Sequence, residues 1–180
     1  VQMGRYFIAL QPKIDPYKHR IVGAEALIRG RGEKGEIEYP NSFIPIFENN
    51  GFISKLDMFV WEEAARTLRK WKDNNQIMVP IAINLSRVDV EQETVMEELL
   101  GLSDKYELGN QWIKMELTES VYSEEGTLIM ERMKKIQNHG FKVAVDDFGS
   151  GYSSLHMLKK MPIDILKIDK SFLDVDMNEA

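Results

Sequence analysis

The chain has 180 residues, of which 43% are hydrophobic and 29% charged, and its formal net charge is −6. This composition excludes a disordered or fibrous chain, and the absence of cysteine excludes disulfides and cysteine-based zinc sites. The acidic balance argues against binding to a nucleic-acid polymer, and no apolar run reaches the roughly 18 residues that span a bilayer. We therefore expect one globular domain whose residues make no membrane contact.

Short runs rich in β-branched residues recur along the chain and alternate with segments of helical period. They predict six strands: Tyr6–Leu10, Ile21–Leu27, Val79–Leu85, Ile113–Leu117, Phe141–Val145 and Ile165–Ile168. The turn between the first two is too short for a crossover helix, so this pair is predicted to be antiparallel. The alternation of the later strands with helices indicates a parallel α/β sheet, open or closed.

Several helices carry start and stop signals. Ser54 with Asp57 predicts a capping box, followed by an apolar stripe from Leu56 to Trp71. Further helices are predicted over about 41–50, over about 89–100, from Ser123 to before Gly140, and shortly after Tyr152. No linker or internal repeat divides these elements, which favours a single domain.

Acids and amides fall toward the carboxyl ends of most predicted strands, the edge at which α/β barrels bind and catalyse. Glu25, Asn84, Glu116, Asp146 and Asp147 converging there would form an all-oxygen cage for Mg²⁺ or Mn²⁺, with one or two ions. Two such ions can bridge a phosphate and activate water. Without a cation, the carboxylates would repel one another and their pKa values would rise.

Six further motifs occur in a fixed order along the chain. One motif is Glu25-Ala26-Leu27. The six others are Gln11-Pro12, Phe43-Ile44-Pro45, Asn84-Leu85-Ser86, Glu116-Leu117-Thr118-Glu119-Ser120, the segment from Asp146 to Leu155, and Lys167-Ile168-Asp169. Together they resemble the EAL domains, the cyclic di-GMP phosphodiesterases. The resemblance implies a TIM-like (β/α)₈ barrel with an antiparallel first strand.

Residues 1–180 would then be a single EAL domain that holds about six of the eight strands. An eight-unit barrel takes roughly 250 residues. The final two strands, and a glutamate usually assigned as general base or metal ligand, would follow Ala180. Gly30 and Leu10 stand where the family commonly has Trp and Tyr, so the substrate wall is expected to differ.

The resemblance also implies roles for individual residues. The implied metal ligands are Glu25, Asn84, Glu116 and Asp146, with Asp147 for a second ion. The implied catalytic residues are Lys167, beside the attacking water and scissile phosphate, and Glu119, which holds the loop that begins at Asp146 near the dimer contacts. The implied substrate contacts are Gln11 and Arg29, the latter through a phosphate.

The implied activity is metal-dependent hydrolysis of cyclic di-GMP to linear pGpG in bacterial signalling. An alternative is an inactive module that binds cyclic di-GMP as a receptor or acts as a scaffold. A Mg²⁺-dependent barrel of the enolase kind is a further alternative, which the ordered motifs disfavour. The family also implies a cytoplasmic homodimer fused to a sensory or GGDEF-type domain.

Overall fold

A computed structural model describes residues 3–119, 121, 126–149 and 158–170. Its strands are β1 Tyr6–Asp15, β2 Arg20–Arg31, β3 Ile37–Glu38, β4 Ile81–Asn84, β5 Ile113–Thr118, β6 Lys142–Phe148 and β7 Ile165–Ile168. Its α-helices are α1 Ile44–Asn49, α2 Ile53–Asp73, α3 Arg87–Glu91, α4 Val95–Lys105 and α5 Gly126–Asn138. Short 3₁₀ turns cover Met3–Arg5, Pro40–Ser42 and Asn110–Trp112.

The strands form one sheet in the order β1-β2-β4-β5-β6-β7, with β3 pairing against β2. All six predicted strands are confirmed, and so is the antiparallel pairing of β1 with β2. The remaining neighbours on this path pair in parallel. The two-residue strand β3 was not predicted, because the segment around it is polar and carries no strand pattern.

The apolar and polar side chains of β5 lie on opposite faces of the sheet. Along β5, Ile113, Met115 and Leu117 are at most 1% exposed and belong to the hydrophobic core. Because side chains alternate along a strand, Lys114 and Glu116 lie on the opposite face. The helices cover the apolar face, and α2 buries a stripe against it: Leu56, Val60, Trp61, Ala64, Ala65 and Leu68. The other face is therefore available for polar chemistry.

The predicted capping box at Ser54 is wrong. Helix α2 begins at Ile53, and its N-cap residue, Phe52, makes no side-chain capping bond. The Ser54 hydroxyl instead accepts a hydrogen bond of 2.9 Å from Gln92 Nε2 on a distant segment. The Ser54 hydroxyl thus forms a tertiary hydrogen bond and not the helix cap that the local pattern predicts.

The helix predicted over about 89–100 is two helices. Ser86 and Asp89 form a reciprocal capping box that starts α3 at Arg87, two residues earlier than predicted. The backbone becomes extended at Gln92, where ψ is 135°, and α4 begins only at Val95. On either side of this break, α3 packs against α5 and α4 packs against α2.

Two helix predictions concern residues that the structure describes only in part or not at all. The predicted start at Ser123 and the short helix after Tyr152 lie outside the described residues. The body of the first is present as α5, in which Ile129, Met133 and Ile136 are buried as predicted. Among the described helices, none combines the length and apolarity needed to cross a membrane.

Candidate metal centre

Three carboxylates from three strands converge on the polar face of the sheet. They belong to Glu25 on β2, Glu116 on β5 and Asp146 on β6, and one oxygen from each lies within 4.8 Å of the others. Their side chains are only 12%, 2% and 18% exposed. The sheet therefore places together three acids that are far apart in the sequence, as the strand-end pattern predicted.

Two lysines donate to these carboxylates. Lys167 Nζ on β7 lies 3.0 Å from Glu25 Oε2, 2.7 Å from Glu116 Oε2 and 2.5 Å from Asp146 Oδ2. Lys13 Nζ on β1 donates to Glu116 Oε1 and lies 3.5 Å from Glu25 Oε2. Each oxygen of Glu116 thus accepts from a different ammonium group, and we call these five residues the carboxylate–lysine cluster.

Sequence reasoning identified Lys167 but missed Lys13. The signal that could have found it is strand alternation, because Lys13 follows Gln11 by two positions and so shares its face of β1. Gln11 pairs directly across from Glu25, and Lys13 pairs across from Gly23. Lys13 is therefore the diagonal neighbour of Glu25 in the antiparallel pair, within reach of a long side chain.

Burial and charge act against each other in the cluster. Burial raises the pKa of Glu116, and the hydrogen bonds from Lys13 and Lys167 do not fully offset it. Burial also raises the pKa of Glu25, but the two lysines outweigh it and the net direction is downward. Burial lowers the pKa of Lys167, yet the three carboxylates raise it overall above its ordinary value. Lys167 is therefore cationic at every physiological pH.

The carboxylate oxygens of Glu25, Glu116 and Asp146 suit a hard divalent cation. Mg²⁺ and Mn²⁺ prefer carboxylate and carbonyl oxygens, and Mg²⁺ binds them at about 2.0–2.1 Å. Oxygens on opposite sides of such an ion are roughly 4 Å apart, which is compatible with the spacing of this set. The ammonium group of Lys167, bonded to all three acids, shows that the same space accepts positive charge.

The neighbouring acids Asp146 and Asp147 lie in different surroundings, as expected. The β6–β7 register shifts between Val145 and Phe148, and Asp147 has a left-handed φ of 52°. Bulges of this kind re-aim side chains beside functional sites. Asp146 joins the cluster, whereas Asp147 is exposed and its backbone N–H donates to Asp146 Oδ1 at 2.8 Å. Burial, and then the charge of Asp146, raise the pKa of Asp147.

Asn84 ends β4 directly beside the cluster. Its Cα pairs with that of Glu116, and its side chain is exposed at the polar edge. Its carbonyl oxygen accepts a 3.0 Å hydrogen bond from Trp61 Nε1, on a side chain only 1% exposed. Trp61, which sequence reasoning did not single out, thus anchors the strand end that carries Asn84.

Glu119 connects the end of β5 to the loop after β6. It is 5% exposed, its backbone N–H donates to the Asp146 carbonyl at 3.1 Å, and its Oε2 accepts from the Gly149 N–H at 2.8 Å. These bonds hold the bulge that carries Asp146. The geometry is that of a positioning residue for the loop.

Gln11 and Arg29 lie on either side of Glu25. Gln11 is exposed on β1, opposite Glu25, and Arg29 lies four residues further along β2 on the same face. The Arg29 guanidinium stacks over Tyr39, 5.2 Å from the ring centroid, and donates to the Ile28 carbonyl at 2.8 Å. Gln11 therefore borders the cluster, whereas Arg29 lies about 13 Å further along β2 on the same face.

Comparison with known proteins gives a consistent family. The EAL domain profile matches residues 1–180. The chain is 32% identical over 174 residues to the signaling protein YkoW of Bacillus subtilis and 33% identical over 167 residues to the cyclic di-GMP phosphodiesterase PA2567 of Pseudomonas aeruginosa. These matches cover 97% and 93% of this chain but only 22% and 28% of those proteins.

The solved structures agree. The PaMucR phosphodiesterase in complex with c-di-GMP superposes with a TM-score of 0.88 at 28% identity, covering 96% of this chain and 70% of that one. The likeness confirms the TIM-like barrel fold implied by the motifs, and the mostly parallel sheet of this chain with its antiparallel first pair agrees with that fold. The ordered motifs, the sheet and the profile match together show that the chain belongs to the EAL domain family.

Proposed function

We propose that this chain is the catalytic module of a metal-dependent phosphodiesterase that hydrolyses cyclic di-GMP to linear pGpG. The observation that carries the proposal is the convergence of three carboxylates and Lys167 within one small volume of the polar face. The similarity to a cyclic di-GMP phosphodiesterase and to a phosphodiesterase solved with c-di-GMP supports the choice of substrate.

Glu25, Glu116 and Asp146 would hold a Mg²⁺ or Mn²⁺ ion, with Asn84 beside them and Asp147 available to a second ion. When bound there, such an ion supplies Lewis-acid polarisation of a phosphoryl oxygen and a water of lowered pKa. The chain's own residues supply the rest of the environment. Glu119 holds the Asp146 bulge in place through the Asp146 and Gly149 backbone groups.

The cationic and polar residues around the acids would orient the dinucleotide. Lys167 remains protonated and places its positive charge against the reacting phosphate, where it offsets developing negative charge. Arg29 can donate to a phosphate oxygen because its guanidinium is held at the polar edge by Tyr39. Gln11 would contact the substrate from the exposed side of β1.

The module is proposed to work within a larger signalling protein. The chain spans less than a third of the length of YkoW and of PA2567. A fused sensory or GGDEF-type domain, a homodimer, and a cytoplasmic location are part of this proposal.

The test is incubation of the purified protein with cyclic di-GMP and Mn²⁺, followed by separation of the products by chromatography. We expect linear pGpG from the wild type and a loss of at least about 100-fold in rate for Glu25→Ala, because an acid of the cation-binding set is removed. Glu97→Ala, at an exposed position on α4, is the matched control and should retain the wild-type rate.

The same experiment separates the enzyme from the receptor. Cyclic di-GMP that binds tightly but is recovered intact would support the binding module. Absence of both binding and product would contradict both functions.

A further inference from the structure

We propose that Lys13 is a positioning residue that serves as an exchangeable counter-ion of the cluster: it neutralises Glu116 and Glu25 when no metal is bound and competes with the divalent cation for them. This inference rests on the metal site of the proposed function. It assigns a role to a residue that none of the ordered motifs includes.

The first argument is the occupancy of Glu116. Its Oε1 accepts from Lys13 and its Oε2 accepts from Lys167 at 2.7 Å. At 2% exposure, the Glu116 carboxylate is turned toward the cluster rather than toward solvent. A metal that binds Glu116 must therefore take an oxygen that already accepts from an ammonium group.

The second argument is charge. With every group ionised, three carboxylates and two ammonium groups leave the cluster at −1. If both lysines stayed in place, a divalent cation would bring the net charge of the cluster to +1. If one lysine withdrew, the net charge would be zero. Because an unbalanced charge is costly away from water, entry of the metal favours the release of one lysine.

The third argument is which lysine can leave. Lys167 contacts all three carboxylates, whereas Lys13 contacts two, and the closest approach of Lys13 to Glu25 is 3.5 Å. The Lys13 side chain is 32% exposed, so its flexible stem has access to solvent. Its cross-strand partner is Gly23, so no side chain stands directly opposite it on β2. Lys13 is therefore the lysine that can swing away.

The test compares Mn²⁺ binding and thermal unfolding for the wild type and Lys13→Met, which retains length but removes charge. Without metal, the variant should melt about 2–4 °C lower, because two carboxylates lose a partner. Its Mn²⁺ dissociation constant, measured by calorimetry without substrate, should be about tenfold lower than that of the wild type. Saturating Mn²⁺ should then remove the difference in melting temperature.

The controls separate this role from a merely structural one. Lys18→Met removes the same charge from an exposed position in the same hairpin and should alter neither quantity. Lys13→Arg should restore the metal-free melting temperature. A variant that melts lower to the same extent with and without Mn²⁺, or that binds Mn²⁺ with unchanged or weaker affinity, would overturn the proposal.

The result is independent of hydrolysis. If Lys13→Met binds Mn²⁺ more tightly than the wild type, but the wild type leaves cyclic di-GMP intact, the proposed function fails and the role of Lys13 stands. If neither protein binds Mn²⁺, the exchange is refuted together with the metal site.

Discussion

Two groups of acids, one on the polar face of the sheet and one between α2 and α3, offset the repulsion between their carboxylates in different ways. On the polar face, Glu25, Glu116 and Asp146 meet and form ion pairs with two lysines. Between α2, α3 and the end of β4, Asp57 and Asp89 meet, and Asp89 is 3% exposed. We call the second group the aspartate pair.

In the aspartate pair, a proton on Asp57 takes the place that the lysines hold in the cluster. Asp89 accepts from the backbone N–H of Ser86 at 3.0 Å and from its hydroxyl at 2.5 Å. Asp57 Oδ2 is buried and accepts no hydrogen bond from the described residues. Burial, and then the charge of Asp89, raise the pKa of Asp57 to about 8. Asp57 therefore holds a proton at neutral pH.

The difference distinguishes a binding site from a scaffold. A lysine can be replaced by another cation, so the carboxylate–lysine cluster stays open to a ligand. A proton held on Asp57 needs no cation beside the aspartate pair. In the proposed function, the lysine partners of the acids, and not the number of acids alone, mark the metal site.

We expect the largest effect when a lysine is removed from the carboxylate–lysine cluster. Lys167→Met removes the ammonium that contacts three carboxylates, and we expect cyclic di-GMP hydrolysis to fall by at least about 100-fold. Metal-free stability should fall by about 1–2 kcal/mol, because nearly buried acids lose their partner. Product chromatography and urea unfolding measure the two effects.

Lys142→Met is the control for that variant. Lys142 forms an exposed pair with the single carboxylate of Asp164, and such pairs contribute under about 1 kcal/mol. Equal losses of rate in the two variants would contradict a specific role for Lys167.

An intermediate effect comes from removing the titrating group of the aspartate pair. The ordinary pKa of Asp57 is 3.8, so the unfolded chain releases this proton well before the folded protein does, near pH 8. The folded protein binds more protons between these values, and wild-type stability should therefore fall as pH rises from about 4 to 8. Asp57→Asn should remove that slope and be more stable than wild type at pH 8, with little difference near pH 4.

The measurement is urea unfolding at a series of pH values. Asp104→Asn, at an exposed position on α4, should leave the pH dependence as in the wild type. A slope that persists in Asp57→Asn would show that the proton is not held by this pair.

The smallest expected effect tests the link between the helix layer and the polar face. Trp61→Phe keeps most of the buried ring but removes the 3.0 Å hydrogen bond to the Asn84 carbonyl. Stability should fall by about 1 kcal/mol, the contribution of one buried hydrogen bond, and Mn²⁺ should bind about two- to threefold more weakly. Unchanged Mn²⁺ affinity would show that the end of β4 is held by the sheet alone.

Short-range patterns predicted the parts of this protein that depend on neighbours in the sequence. All six main strands and the antiparallel first pair follow from alternation and a short turn. The meeting of Glu25, Glu116 and Asp146 was also predictable, because parallel strands deliver their carboxyl ends to one edge of the sheet. The motif order added the family to this framework.

Only the tertiary structure decided which partner each polar group takes. Ser54 bonds to Gln92 instead of capping its helix, and Lys13 reaches Glu116 across 103 positions of sequence. A local pattern cannot contain such contacts, since several partners compete and the fold determines which lies within reach. The sequence by itself therefore determined where the acids gather, and the packing decided whether a lysine or a proton neutralises them.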